Sequence, residues 1–110
     1  MPVGRAMLWA AMLIVVGSIR MAAGGLAVAR PAMAAMIAAS RAEDGCIAYS
    51  YAEDVAEPGL IRVTEIWRDR AALDRHFMSE HIAVWRATWT ELGIGERRLE
   101  LYEAGAGSPV

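Results

Sequence analysis

Between Cys46 and Trp67 the chain carries its most constraining feature. Two strand-length segments, Cys46–Asp54 and Leu60–Trp67, are separated by Val55-Ala56-Glu57-Pro58-Gly59. A Pro-Gly pair between two such runs is a turn signal, so the unit reads as a β-hairpin. The rest must build around it. Upstream, Leu13–Met21 is rich in Val and Ile and reads as a first strand, closed by Ala22-Ala23-Gly24-Gly25. An alanine-rich helix is predicted over Leu26–Ala42, with Met33, Met36, Ile37 and Ser40 at helical spacing and Pro31 near its first turn or at a kink. It stops at Glu43-Asp44-Gly45. Downstream, Asp69 is placed to cap a short helix running through Phe77, and Ser79 to cap a second one carrying Ile82, Trp85, Trp89 and Leu92, which ends at Gly93. Arg97–Glu103 alternates as a last strand.

The order β-α-β-β-α-α-β defines an α+β chain, and the simplest arrangement is a ferredoxin-like antiparallel sheet with helices on one face. Its other face would leave apolar surface open, which favours sheet-against-sheet pairing as a homodimer.

Composition excludes several classes. With 110 residues the chain makes one domain, and it is 56% hydrophobic and 22% charged with a mean hydropathy of +0.30. A net charge of −2 with interspersed signs offers no basic surface for nucleic acid. One cysteine, Cys46, forms no internal disulfide and belongs to no zinc-type cluster, so it reads as a small buried hydrophobe and the cytoplasm as the default compartment. The stretch Arg5 followed by Ala6–Val16 imitates a secretory signal, but it is too short for a bilayer and lacks an A-x-A-like cleavage site. Residues 1–11 are therefore taken as an extension of unclear role before a domain over 12–103, with Met12 a candidate start and 104–110 a loose tail. No membrane partner is expected.

Candidate chemistry clusters around the third strand. Alternation places Ile61, Val63, Glu65 and Trp67 on one face. A carboxylate among apolar neighbours needs a partner or takes a raised pKa, and an indole beside it either walls a pocket or fills the core. Tyr49 and Tyr51 share a face of the second strand and could bond a phenolic or carbonyl oxygen. Trp85 and Trp89, four residues apart, read as a packed helix stripe. His76 and His81 are five residues apart across a helix break, not the i, i+4 pair that clasps a metal, and no third ligand is visible, so no metal is expected. Each histidine is either a structural hydrogen-bonder or a base, since its unperturbed pKa of about 6.5 suits proton abstraction at neutral pH.

The pattern E-x-W-x5-L-x2-H-x4-H formed by Glu65, Trp67, Leu73, His76 and His81, with Gly45-Cys46-Ile47-Ala48-Tyr49 upstream, resembles the antibiotic biosynthesis monooxygenase family, including small quinol monooxygenases. The resemblance spans Met12–Glu103. It implies a dimeric α/β barrel with a pocket between sheet and helices, and cofactor-free oxidation of a phenol or hydroquinone by dioxygen. On that reading His76 is the first choice of base and His81 the second. Trp67, Glu65, Tyr49, Tyr51 and Trp85 contact the substrate, and Arg86 stabilises developing negative charge. A haem-degrading branch shares the fold, but its haem-holding asparagine and histidine fall here on Gly17 and Arg86, so haem is not expected. An isomerase of a small carbonyl metabolite and a non-catalytic binding dimer stay open as alternatives.

Overall fold

The computed structural model describes residues 12–110. The expected extension over residues 1–11, and with it the choice of Met12 as start, lies outside the described residues. Eight elements follow in order: β1 (Met12–Arg20), α1 (Gly25–Arg41), β2 (Cys46–Glu53), β3 (Leu60–Trp67), α2 (Arg70–Phe77), α3 (Glu80–Ala87), α4 (Trp89–Leu92) and β4 (Gly95–Ala104). The four strands form one sheet in the order β2-β3-β1-β4, antiparallel throughout. This is the α+β, ferredoxin-like arrangement that the element order predicts.

Strand alternation decides what the helices cover. From β1 the side chains of Leu13, Val15 and Ile19 are buried, and from β3 those of Ile61, Val63, Glu65 and Trp67. In α1 the buried positions Ala29, Met33, Met36 and Ser40 fall at spacings of four, three and four, one stripe of a 3.6-residue helix laid on that sheet face. The helix continues through Pro31, whose missing N–H costs one bond near its N-terminal end. The opposite sheet face carries Ile14, Val16, Ile66 and Tyr102, paired across strands as Ile14 with Ile66 and Ile14 with Tyr102.

Two local details differ from expectation. The helix expected from Ser79 to Leu92 is broken at Thr88, whose Oγ1 donates to the Trp85 carbonyl at 2.6 Å and so competes with the backbone ladder. Ser79 makes no side-chain cap, because its hydroxyl donates backwards to the His76 carbonyl at 2.7 Å, satisfying the end of α2. Asp69 does cap α2, accepting from the Ala72 amide at 2.9 Å, and Gly93 ends α4 at φ 67°. Cys46 is half-buried and not fully enclosed; burial pushes its thiol pKa up, which leaves it a poor nucleophile. No described helix is long and apolar enough to cross a membrane.

Candidate active site

The face shared by Glu65 and Trp67 is the floor of the site. In the β2–β3 ladder Tyr49 lies opposite Glu65 and Tyr51 opposite Val63, so both phenols join that face. Aromatic packing then follows: the Tyr49 and Tyr51 rings stack at 5.8 Å between centroids, and Tyr49 meets Trp67 edge-on at 6.2 Å. From α2, His76 drops onto this floor, 4.6 Å from the Trp67 ring and 5.2 Å from Tyr49. From α3, Trp85 closes the side, 6.2 Å from Tyr51 and 6.1 Å from Trp89. Burial raises the pKa of both tyrosines, so they stay protonated and serve as hydroxyl donors or acceptors, not as anions.

Glu65 forms no ion pair with an arginine among the described residues. It is 4% exposed and accepts a hydrogen bond from the Trp67 indole N–H at 3.0 Å. Burial raises its pKa, with the Trp67 bond and the more distant Arg97 and Arg86 working against that rise. A carboxyl raised in the folded state loses its stabilising contribution as pH climbs through the folded pKa, because the folded chain must then hold the charge. Glu65→Gln keeps an oxygen for Trp67 and carries no charge. It is expected to stabilise the fold at pH 8 by about 1 kcal/mol and to flatten the pH dependence of thermal unfolding above the carboxylate range. A variant less stable than the wild type at pH 8 would show that the ionised carboxylate is needed.

His76 is 2% exposed, and its Nδ1 lies 2.6 Å from Glu43 Oε2. The same oxygen lies 2.7 Å from Nε2 of His81. Glu43 sits in the turn between α1 and β2, where the sequence shows only a helix stop. Burial lowers the His76 pKa, the Glu43 hydrogen bond and charge oppose this, and the ring is neutral at rest near pH 7. With Nδ1 held by the carboxylate, Nε2 is the nitrogen free for chemistry. The arrangement is that of a base oriented by an acid, the logic of catalytic triads.

Tyr49, Tyr51, Glu65, His76, Trp85 and Arg86 line one cavity. Six of the eight sequence candidates thus meet in a single place. Trp67 abuts it through Glu65 and His76. His81 does not: it lines a separate groove between α1 and α3 with Ala32, Ala35, Met36 and Val84. The inner cavity is about 20 Å³, room for one water-sized molecule, whereas the groove is about 340 Å³. Trp85 is a wall of both, and its indole N–H makes no hydrogen bond of good geometry among the described residues, with the Tyr51 hydroxyl nearby.

Arg97 of β4 and Trp89 of α4 also line the inner cavity, and neither was singled out from the sequence as a site residue. Arg86 stacks on the Trp89 ring at 4.8 Å, and neither Arg86 nor Arg97 forms an ion pair among the described residues. Both guanidiniums are therefore available to an anion. At Gly17, the other position tied to haem, an added Cβ would lie 1.8 Å from the Arg98 carbonyl oxygen, so no side chain fits there without moving β4.

A four-stranded antiparallel sheet with helices on one face and an aromatic cavity between them defines a small α+β domain with a buried site. Residues 12–88 match the profile of the antibiotic biosynthesis monooxygenase family, and the chain belongs to that family. It is similar to a candidate antibiotic biosynthesis monooxygenase of Deinococcus radiodurans, whose crystal structure superposes with a TM-score of 0.81 at 26% identity over 89% of this chain and 97% of that one. It is also similar to a candidate monooxygenase of Mycobacterium tuberculosis, 43% identical over 57% of this chain and 61% of that one, and to an uncharacterised Synechocystis protein, 50% identical over 38% of this chain and 29% of that one. The chain therefore spans less than two thirds of the length of these two curated relatives.

Proposed function

We propose that the chain oxidises a small phenol or hydroquinone with dioxygen, without flavin, haem or metal, using His76 as the base. The observation that carries this reading is the position of His76, with one ring nitrogen held by Glu43 and its ring on the wall of an aromatic cavity. Nε2 takes a proton from the bound phenol. Glu43 stabilises the imidazolium that forms. The resulting anion is electron-rich and reduces dioxygen; one oxygen atom stays on the substrate and the other leaves as water with two substrate hydrogens. Arg86 and Arg97 at the cavity wall offset the negative charge, while Trp67 and the tyrosines orient the ring.

An aromatic ring does not fit into about 20 Å³, so binding requires the inner cavity to widen. Trp85 is the wall that must move, since the groove behind it has the needed volume and the indole makes no hydrogen bond of good geometry among the described residues. The sheet face bearing Ile14, Val16 and Ile66 is the surface on which a second copy would pack as a homodimer, and sedimentation of the full chain tests that part.

The test is oxygen uptake by chelator-treated protein offered a panel of hydroquinones and polycyclic phenols. Uptake that needs no added cofactor supports the proposal. No uptake above the uncatalysed rate across the panel overturns it. Solvent-hydrogen exchange into a carbonyl substrate without oxygen consumption would reassign the same base to an isomerase.

A further inference from the structure

We infer that Glu43, His76 and His81 together form a binding site for a divalent transition-metal ion of the zinc type, and that an ion bound there switches the base off. The sequence shows two histidines with unsuitable spacing and no third ligand. The fold supplies the third from 33 residues before His76 and 38 before His81. The three donor atoms come from the turn after α1, the end of α2 and the start of α3, and lie within 4.8 Å of one another.

In the metal-free chain both imidazoles are directed at a single carboxylate oxygen, at 2.6 and 2.7 Å. Such a fork is a cation site with hydrogens in place of the ion. Zinc bonds of roughly 2.0–2.1 Å to nitrogen and oxygen set neighbouring ligands about 3.4 Å apart in a tetrahedron. Reaching that spacing requires the carboxylate to back away from both rings by less than about 1 Å and the two rings to close in behind it. His81 is free to make that adjustment, because its side chain is 23% exposed on the groove side. That side also leaves a fourth position open to water. Glu43 forms no ion pair with an arginine among the described residues, so its charge is not already neutralised. Two imidazoles and one carboxylate select a zinc-type ion over magnesium, which prefers an all-oxygen octahedron.

The consequence for chemistry follows from the tautomer. A neutral imidazole carries one hydrogen. When Nδ1 of His76 donates its lone pair to an ion, that hydrogen sits on Nε2, and the cavity meets a donor where it needs an acceptor. Binding therefore stands on its own geometry, while its effect on turnover rests on the proposed role of His76.

The experiment titrates chelator-dialysed full-length protein with zinc chloride by calorimetry, with magnesium chloride as the control and His81→Ala and Glu43→Gln as variants, each checked for its fold by circular dichroism. One zinc per chain is expected, no magnesium heat, and affinity at least about tenfold weaker in both variants. Equal zinc affinity in either folded variant, equal competition by magnesium, or no saturable binding overturns the site. Nitrogen-15 spectra of the His76 ring report the switch without any substrate: zinc is expected to move the hydrogen to Nε2, and a hydrogen still on Nδ1 at saturation overturns it. Where the wild type consumes oxygen, saturating zinc is expected to lower the rate at least about tenfold, and an unchanged rate overturns the switch. If no substrate gives uptake with or without zinc, it is the oxidation reading that fails, and the isotherm and ring spectra still decide the site and its tautomer.

Discussion

Oxygen uptake is expected to fall by about a hundredfold or more when His76 is replaced by glutamine, the range for loss of a positioned general base. Glutamine is chosen because it is polar, close in length and able to donate to Glu43, so that the buried corner beneath α2 keeps a partner. What it lacks is a nitrogen that can accept a proton at neutral pH. The loss should appear in kcat, with KM nearly unchanged, because the ring's role is in the proton transfer and Trp67 and the tyrosines still hold the substrate. Glu43→Gln should lower kcat by a smaller factor, since it removes the charge that stabilises the imidazolium and leaves the base in place. His81→Gln in the same assay separates the two histidines: if it falls further than His76→Gln, the groove side and not the inner cavity is where the proton is taken.

Trp67→Ala is expected to destabilise the fold by about 3–5 kcal/mol, the usual cost of emptying a fully buried aromatic position. The side chain is 0% exposed, packs on His76 at 4.6 Å and gives Glu65 its hydrogen bond. Truncation therefore opens a cavity and also strands a buried carboxyl, whose unmet hydrogen bond costs about 1–3 kcal/mol more or forces water inward. Against a typical total of about 5–15 kcal/mol, that is enough to bring a domain of this size near unfolding at physiological temperature. Trp67→Phe separates the terms, keeping most of the packing and losing the N–H donor, and should fall between the wild type and alanine. Urea unfolding checks both. A change below about 1 kcal/mol for alanine would mean that the indole is not the keystone of the floor, and Trp85 would take that place.

Much of this architecture was legible in the chain itself. The Pro58-Gly59 turn, the alternation through Leu60–Trp67 and the 3-4 spacing in α1 each report a local period, and local periods survive into the fold because they are what a sheet face or a helix stripe requires. The β3 and α2 bounds are as expected and the other elements shift by one or two residues, apart from the break at Thr88, where a side-chain hydroxyl overrode a helical pattern. The shared face of Tyr49, Tyr51, Glu65 and Trp67 was readable for the same reason, and that face became the floor of the site.

Glu43 was not readable. In sequence it is a polar residue ending a helix, one of 13 acidic residues, and nothing in its neighbours marks it. It matters because α1 crosses the sheet face and returns the chain to β2 just where α2 ends and α3 begins, so that one carboxylate oxygen arrives between two imidazoles. The same holds for Arg97, brought to the cavity by β4 lying beside β1, and for Trp89, brought there by α4. Local periods and motif spacing along the chain are enough to place the elements, the face of β3 that turns inward and the family to which these residues belong. Which acid meets which histidine emerges only on folding, because that contact is set by how the helices cross the sheet and not by any period along the chain.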